Sequence, residues 1–218
     1  MIGIIIALPS EAKSLLTQVE SLKEIPFLDK KAYSCTINSK QAVIVISGIG
    51  KVSAALTTQA LIDQYNPEFV VNAGTCGGTN LSVKPLNFYI VDKCFQFDFD
   101  VTEIDDVEVG YIQEYDTKFF NAYTKGLDFL PKTNLATADR FSNAEKDLDL
   151  IEKNGCAIRD MEGAAIAQTC KSNNVPFVSL KGVSDIYGLG TDGEQFYQNL
   201  TAVSKALAPT LIKVIENL

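Results

Sequence analysis

Three acidic residues stand next to apolar, strand-like segments in a chain that contains no histidine. Glu11 and Asp185 each come after a continuous apolar run, and Glu162 lies within the segment Arg159–Ala165. Histidine is the usual proton carrier near neutral pH. Without it, proton transfer must fall to carboxylates, Cys, Lys or Tyr. The three acids are therefore the first candidates for acid–base chemistry.

Each acid also has a purely structural explanation. Glu162 could stand in a helix first turn because the helix dipole favours an acid there. Asp185 could be a helix N-cap or a turn residue, and Glu11 could begin the first helix. Because all three acids are predicted to lie at one edge of one sheet, a shared functional site is favoured over three separate structural roles.

The elements that would position these acids follow from hydrophobic patterning. Continuous apolar runs rich in Val and Ile predict buried strands, and they occupy residues 2–8, 42–46, 69–73, 88–91 and 177–183. Helical patterns lie between and after them, at residues 54–65, 161–170 and 196–218. The alternation predicts an α/β sandwich, with one domain over residues 1–218.

The middle of the chain, residues 84–139, is less regular. It contains Phe95–Val101, in which apolar and polar residues alternate strictly. That alternation predicts a strand with one polar face.

Ligands of such sheets bind beyond the carboxyl ends of the strands. Glu11, Gly48–Gly50, Gly74–Gly78 and Ser184–Asp185 all follow apolar runs directly, so we expect them to converge on one rim. Ser47–Ser53 opens a helix with two glycines but fits neither a P-loop nor a dinucleotide fingerprint. Gly74–Gly78 is predicted as a glycine-rich bend able to line a small polar pocket.

The charge, hydropathy and cysteine content of the chain exclude several classes of binding partner. The formal net charge of −8 argues against nucleic acid or an anionic membrane as the main partner. No segment is long enough to span a bilayer. The five scattered cysteines show no metal-ligand spacing, so we expect no bound metal. We also expect no cofactor. Reduced thiols suggest a cytoplasmic protein.

Five motifs taken in order resemble the 5′-methylthioadenosine/S-adenosylhomocysteine nucleosidases of the purine nucleoside phosphorylase superfamily. The motifs are Gly3–Glu11, Ser47–Val52, Asn72–Gly78, Asp160–Ala164 and Val183–Asp185. The resemblance implies a three-layer sandwich with a central mixed β-sheet flanked by helices, and a homodimer. It also implies cleavage of the N-glycosidic bond between adenine and a 5′-substituted ribose.

The resemblance assigns roles by matched position. Asp185 is expected to protonate purine N7, Glu11 to activate water, and Glu162 to bind the ribose hydroxyls. The remaining expected substrate contacts are Met161 on the sugar, Phe141 and Ser142 at the base, Thr75, Gly77 and Ser184 around the pocket, and Leu8 and Ile49 at the 5′ group. Lys181 stands where the family usually has an arginine that steadies the ribose-binding glutamate, and it cannot make the same two-pronged contact.

Other readings stay open. A futalosine hydrolase or another purine nucleosidase or phosphorylase of the superfamily would share the motifs. Phosphorolysis is disfavoured because there is no arginine near Glu11 or in Gly74–Gly78 to hold phosphate. A degenerate nucleoside-binding protein is disfavoured because all three acids are present.

Asp185 also predicts a base preference. One carboxyl group can donate to N7 of adenine and accept from its 6-amino group. A 6-oxopurine presents an acceptor instead, so we expect adenosine derivatives to be preferred by about tenfold to a hundredfold.

Overall fold

The computed structural model describes residues 1–141, 144–189 and 192–218, with Asp192 placed by its backbone alone. Ten strands lie in these residues: β1 Ile2–Ile6, β2 Glu20–Ile25, β3 Ala32–Ile37, β4 Lys40–Ile46, β5 Phe69–Gly78, β6 Phe88–Gln96, β7 Phe120–Asn121, β8 Lys132–Thr137, β9 Cys156–Asp160 and β10 Phe177–Ile186. The α-helices are α1 Pro9–Leu16, α2 Lys51–Tyr65, α3 Glu145–Lys153, α4 Gly163–Ser172 and α5 Asp192–Glu216, and a short 3₁₀ helix covers Gln113–Tyr115.

The strands form one mixed sheet in the order β10-β6-β8-β9-β5-β1-β4-β3-β2, with β7 beside β6. Strand β5 also pairs with β10, so β5, β9, β8, β6 and β10 form a closed ring. Strands β1, β4, β5 and β10 run parallel through direct pairings. Their carboxyl ends therefore meet at one edge, as the sequence predicts.

Helices cover both faces of the sheet. One buried cluster joins the sheet to α2 and α4 through residues such as Leu61 and Ile166. A second cluster joins it to α1 and α5 through Leu15 and Leu207. The predicted three-layer arrangement with a central mixed sheet is confirmed.

One sequence prediction about the site-bearing segments is wrong, and one structural alternative is excluded. Gly74–Gly78 is not a bend, because β5 continues through it while pairing with β10 and β9. Asp185 is likewise neither an N-cap nor a turn residue, because β10 extends to Ile186 across a bulge between Val183 and Asp185. Pairing with β10 and β9 keeps Gly77–Gly78 extended, and pairing with β5 keeps the Asp185 end of β10 extended.

The predicted strand at Phe95–Val101 is also wrong beyond its first two residues. Strand β6 ends at Gln96, and Asp98 then turns its carboxylate to the Asp139 amide and the Lys51 ammonium. Those contacts draw the chain out of the ladder. The buried rings of Phe95 and Phe97 nevertheless pack in one apolar cluster.

Candidate active site

Strand β5 forms the wall on which the site is built. Thr75 contacts Glu11, while a Cβ placed on Gly77 would lie 2.8 Å from Asp185 Oδ2 and 3.1 Å from Arg159 Nε. Residues two apart along a strand share a face and are separated by about 7 Å. Glu11 is thus held at Gly74–Thr75 and Asp185 at Gly77, so both acids lie against a short stretch of β5 and line one cavity.

Glu11 is fixed at the start of α1 by hydrogen bonds from the protein. The Leu8 amide donates to Oε2 at 3.0 Å, and both the amide and the hydroxyl of Thr75 donate to Oε1 at 2.7 Å. The side chain is 3% exposed. Glu11 does begin a helix, and its carboxylate is also tied to the neighbouring strand and lines the cavity.

Asp185 is 1% exposed and is contacted by the residue that precedes it. The Ser184 hydroxyl lies 2.7 Å from Asp185 Oδ1 and 3.2 Å from the Cys76 carbonyl. Asn199 Nδ2, on α5, donates to the Ser184 carbonyl at 2.7 Å. Helix α5 therefore supports the end of β10 that carries the acid.

Glu162 does not cap its own helix. Its Oε1 accepts the Gly50 amide at 3.0 Å, at the start of the neighbouring helix α2. Gly50 has φ of +96°, a conformation that favours glycine. Asp160 instead accepts the Gly163 amide at 2.9 Å at the start of α4. This arrangement turns the Glu162 carboxylate toward the cavity.

A buried ion pair lies behind Glu162. Lys181 Nζ is 2.7 Å from Asp160 Oδ2, and both side chains are 2% exposed. Thr137 donates to the other oxygen of Asp160 at 2.6 Å. Lys181 thus pairs with Asp160, where the family resemblance placed a partner of the glutamate.

Burial and charge shift the pKa values of this group. Burial raises the pKa of Glu162 to about 7, and the negative charge of Asp160 adds to that rise, while Lys181 opposes it. Burial alone would lower the pKa of Lys181, but the carboxylates of Asp160 and Glu162 outweigh it and raise that pKa. Glu162 therefore changes protonation near neutral pH.

Phe141 stands at the edge of the site with 56% of its surface exposed. Its segment is anchored by two neighbours: Asp139 accepts the Lys51 amide at 2.7 Å, and Arg140 makes a two-pronged pair with Asp147 at 2.8 and 2.9 Å. The Arg159 guanidinium lies over the Phe141 ring, with Cζ 5.6 Å from its centroid. An exposed ring with a fixed backbone is suited to stacking on a flat ligand.

These groups line one cavity of about 660 Å³. The predicted residues in its wall are Leu8, Glu11, Ile49, Thr75, Gly77, Phe141, Met161, Glu162, Ser184 and Asp185. Ser142, also predicted, lies outside the described residues. Of the segments expected to converge, Glu11, Ile49, Thr75–Gly77 and Ser184–Asp185 line this cavity, and the roles assigned to these residues remain predictions.

Sequence reasoning missed several wall residues: Ser10, Arg140, Arg159, Asp160, Phe196, Tyr197 and Leu200. Arg159 was the most visible, as a charged residue inside a short strand next to the Asp160–Ala164 motif. In the sequence no arginine lies near Glu11 or within Gly74–Gly78, whereas the structure places Arg159, from β9, beside Gly77. Cys76 lines the cavity too, and burial raises the pKa of its thiol well above its ordinary value, which argues against a nucleophilic role.

Comparison with known proteins agrees with this geometry. A family model described as the phosphorylase superfamily matches residues 1–218. The chain is similar to a 5′-methylthioadenosine/S-adenosylhomocysteine nucleosidase of Staphylococcus haemolyticus, with 30% identity over 99% of this chain and 100% of that protein.

Solved structures share the fold. A 5′-methylthioadenosine/S-adenosylhomocysteine nucleosidase from Colwellia psychrerythraea 34H in complex with adenine is 28% identical, with a TM-score of 0.90 over 100% of this chain and 95% of that one. A futalosine hydrolase of Helicobacter pylori has a TM-score of 0.89 over 100% of this chain and 97% of that one. At 22% identity that second likeness concerns the fold alone.

Proposed function

Since this chain belongs to the phosphorylase superfamily, and within it to the 5′-methylthioadenosine/S-adenosylhomocysteine nucleosidases, we propose that it hydrolyses the N-glycosidic bond of either or both of these nucleosides. The products are adenine and the 5-substituted ribose. The observation that carries the proposal is the placement of Asp185 and Glu11 against neighbouring residues of β5 in the wall of a single cavity.

Asp185 acts as the general acid. The Ser184 hydroxyl donates to Asp185 Oδ1 at 2.7 Å and lies 3.2 Å from the Cys76 carbonyl. This contact fixes the orientation of the carboxyl group. In the proposed step, the other oxygen, Oδ2, carries the proton that passes to purine N7.

Glu11 acts as the base. Three hydrogen bonds are donated to its carboxylate, which fixes its orientation beside Thr75. A water bound to Glu11 attacks C1′ of the ribose while the C1′–N9 bond breaks and its electron pair moves into the purine. The water proton passes to Glu11, and the proton of Asp185 passes to N7.

Glu162 and Met161 hold the sugar. The Glu162 carboxylate accepts hydrogen bonds from the ribose hydroxyls, and the Met161 side chain packs on the ring. Carboxylates on this side also stabilise the positive charge that develops on the sugar as the bond breaks.

Phe141 and the apolar wall select the rest of the substrate. The exposed Phe141 ring stacks on the purine. Leu8 and Ile49 form the pocket for the 5′ group, together with Phe196 and Leu200 from α5. A thioether substituent is apolar, which suits such a lining.

Hydrolysis is favoured over phosphorolysis by what surrounds Glu11. A phosphate nucleophile would have to lie against this carboxylate, which repels it. The two arginines of the cavity are placed elsewhere: Arg140 is engaged by Asp147, and Arg159 lies beside Gly77 and Asp185.

The test is base release from 5′-methylthioadenosine in phosphate-free buffer. We expect adenine and free 5-methylthioribose at a rate that added phosphate leaves unchanged. A strict phosphate requirement with sugar 1-phosphate as product would contradict hydrolysis. Including futalosine in the assay separates the alternative function, since cleavage of futalosine alone would favour it.

The protein works as a homodimer in the cytoplasm. Support for the dimer comes from exposed apolar side chains: Ile49, which lines the cavity, and Val52 and Leu56, which follow it on α2, are 54%, 79% and 53% exposed. Support for the cytoplasm comes from five free, buried cysteines. No helix among the described residues is long and apolar enough to cross a bilayer.

A further inference from the structure

The catalytic scheme above gives no role to Arg159, although it is among the most buried charged side chains in the described part of the cavity wall, at 6% exposed. Strand β9 delivers it by pairing antiparallel with β5, which sets Arg159 opposite Gly77. Arg159 therefore brings a positive charge into the cavity wall beside β5.

The position of Arg159 relates it to the base and not to the sugar. Its Nε and the Asp185 Oδ2 both approach the point where a Cβ on Gly77 would stand, at 3.1 and 2.8 Å. Its guanidinium also lies over Phe141, the ring proposed to stack on the purine. Arg159 therefore stands next to the acid that meets N7.

On one edge of a purine, the exocyclic group carried by C6 lies beside N7. A guanidinium only donates hydrogen bonds and stays charged at all working pH values. The 6-amino group of adenine is also a donor, whereas O6 of a 6-oxopurine is an acceptor. Arginine paired with N7 and O6 is the common way in which proteins recognise a 6-oxopurine edge.

We propose that Arg159 extends the substrate range to 6-oxopurine nucleosides by donating to O6 while Asp185 donates to N7. This inference rests on the proposed function and revises the base preference expected from Asp185 alone. With Asp185 alone, O6 would face an unsatisfied carboxyl group. With Arg159 beside it, O6 gains a charged donor.

The test compares 5′-methylthioadenosine with its 6-oxo analogue 5′-methylthioinosine. We expect kcat/KM for the two to differ by less than about tenfold in the unaltered protein. Arg159→Met keeps apolar bulk and removes the donors, so it should lower kcat/KM for the 6-oxo nucleoside by roughly tenfold to a hundredfold. For the adenine nucleoside kcat/KM should not fall, because its 6-amino group meets the guanidinium as a second donor and gains nothing from it.

Arg140→Met is the matched control, because Arg140 is the other arginine of the cavity and is engaged by Asp147. It should leave the ratio of the two kcat/KM values unchanged. The ratio also separates loss of the O6 donor from a disturbance of Asp185. Loss of the donor lowers kcat/KM for the 6-oxo nucleoside, whereas a disturbed Asp185, which meets N7 of both bases and the 6-amino group of adenine, lowers kcat/KM for the adenine nucleoside at least as much. Arg159→Leu, which also lacks donors, serves if Arg159→Met does not fold.

Binding of the free bases gives a readout without catalysis. Calorimetric titration should show hypoxanthine losing at least tenfold in affinity in Arg159→Met, with adenine nearly unchanged. The inference is overturned if the protein cleaves only the adenine nucleoside and if Arg159→Met has the same ratio of the two kcat/KM values as the unaltered protein. That result would leave the proposed function intact.

The proposed function fails if neither nucleoside is cleaved. In that case the titration still tests Arg159, because an equal loss of affinity for both bases would overturn its role.

Discussion

At the scale of single residues, the site depends on a division of roles between two neighbouring acids. Asp160 bonds to the first turn of α4 and pairs with Lys181, two tasks that the sequence would assign to Glu162. Glu162 is thereby left to face the cavity, held by the Gly50 amide. A lysine in place of the family arginine is compatible with this arrangement because its single charge is matched by Asp160.

Glu162 should cost the protein stability at neutral and higher pH. Its pKa is about 7 in the folded state against an ordinary 4.5, so the folded protein favours the protonated acid. The stability linked to this group is present below about pH 4.5 and is lost as the pH rises through about 7. Glu162→Gln should therefore raise the free energy of unfolding at pH 8 by on the order of 1–3 kcal/mol.

The stability gain of Glu162→Gln should disappear near pH 4.5. Its activity should be lower than that of the unaltered protein at pH 4.5 and at pH 8. Urea unfolding of both proteins across this range measures the difference. Stability curves that run parallel from pH 4.5 to pH 8 would show that Glu162 is not strained by burial.

The Asp160–Lys181 pair should show strong coupling. Lys181→Met leaves a buried carboxylate without its cation, which should lower the free energy of unfolding by about 3–5 kcal/mol. The double variant Asp160→Asn/Lys181→Met should lose much less, because no charge is left unmatched. A double variant that loses as much as the sum of the two single variants would argue against a coupled pair.

At the scale of elements, β5 and its neighbours decide which side chains meet. Much of this could be predicted from sequence, because apolar runs mark β1, β4, β5 and β10, and Glu11 and Asp185 follow or end them. Strands β8 and β9 could not be predicted in this way. Polar residues interrupt Lys132–Thr137, and Cys156–Asp160 ends in two charged residues, so neither strand is a continuous apolar run.

The position of Arg159 in the cavity wall could not be predicted from the sequence for a related reason. It depends on the register that sets Arg159 opposite Gly77, which joins residues far apart in the chain. Local patterns contain no information on such pairing. Likewise, the partner of Lys181 became clear only when β9 and β10 were placed in one sheet.

Gly77 should be required for activity more than for folding. A methyl group there would lie 2.8 Å from Asp185 Oδ2, so Gly77→Ala should displace the acid and lower kcat by at least about tenfold. Gly3→Ala is the contrasting control, because its methyl group would meet Leu61 at 2.3 Å in the core. That change should lower stability by about 1–3 kcal/mol and spare kcat in the folded protein.

Thermal melts and steady-state rates at low temperature measure both effects. Normal kcat in Gly77→Ala would show that Asp185 is not confined by this strand.

At the scale of the whole molecule, the cavity opens beside an apolar surface formed by Ile49, Val52 and Leu56. Exposed apolar patches of this kind mark interfaces, and this one adjoins the proposed 5′ pocket. We expect light scattering to show a dimer, and Val52→Asp to shift it toward monomer with a higher KM for 5′-methylthioadenosine. A fully active monomer at assay concentration would contradict the dimer.

The central claim is that this fold brings together two carboxylates that break the glycosidic bond from opposite ends. Its most direct test is kcat for 5′-methylthioadenosine in folded Asp185→Ala and Glu11→Ala, measured beside the unaltered protein without phosphate. We predict that each variant loses about a hundredfold or more, the usual scale for a general acid or base. Near-normal turnover in Asp185→Ala would contradict the mechanism.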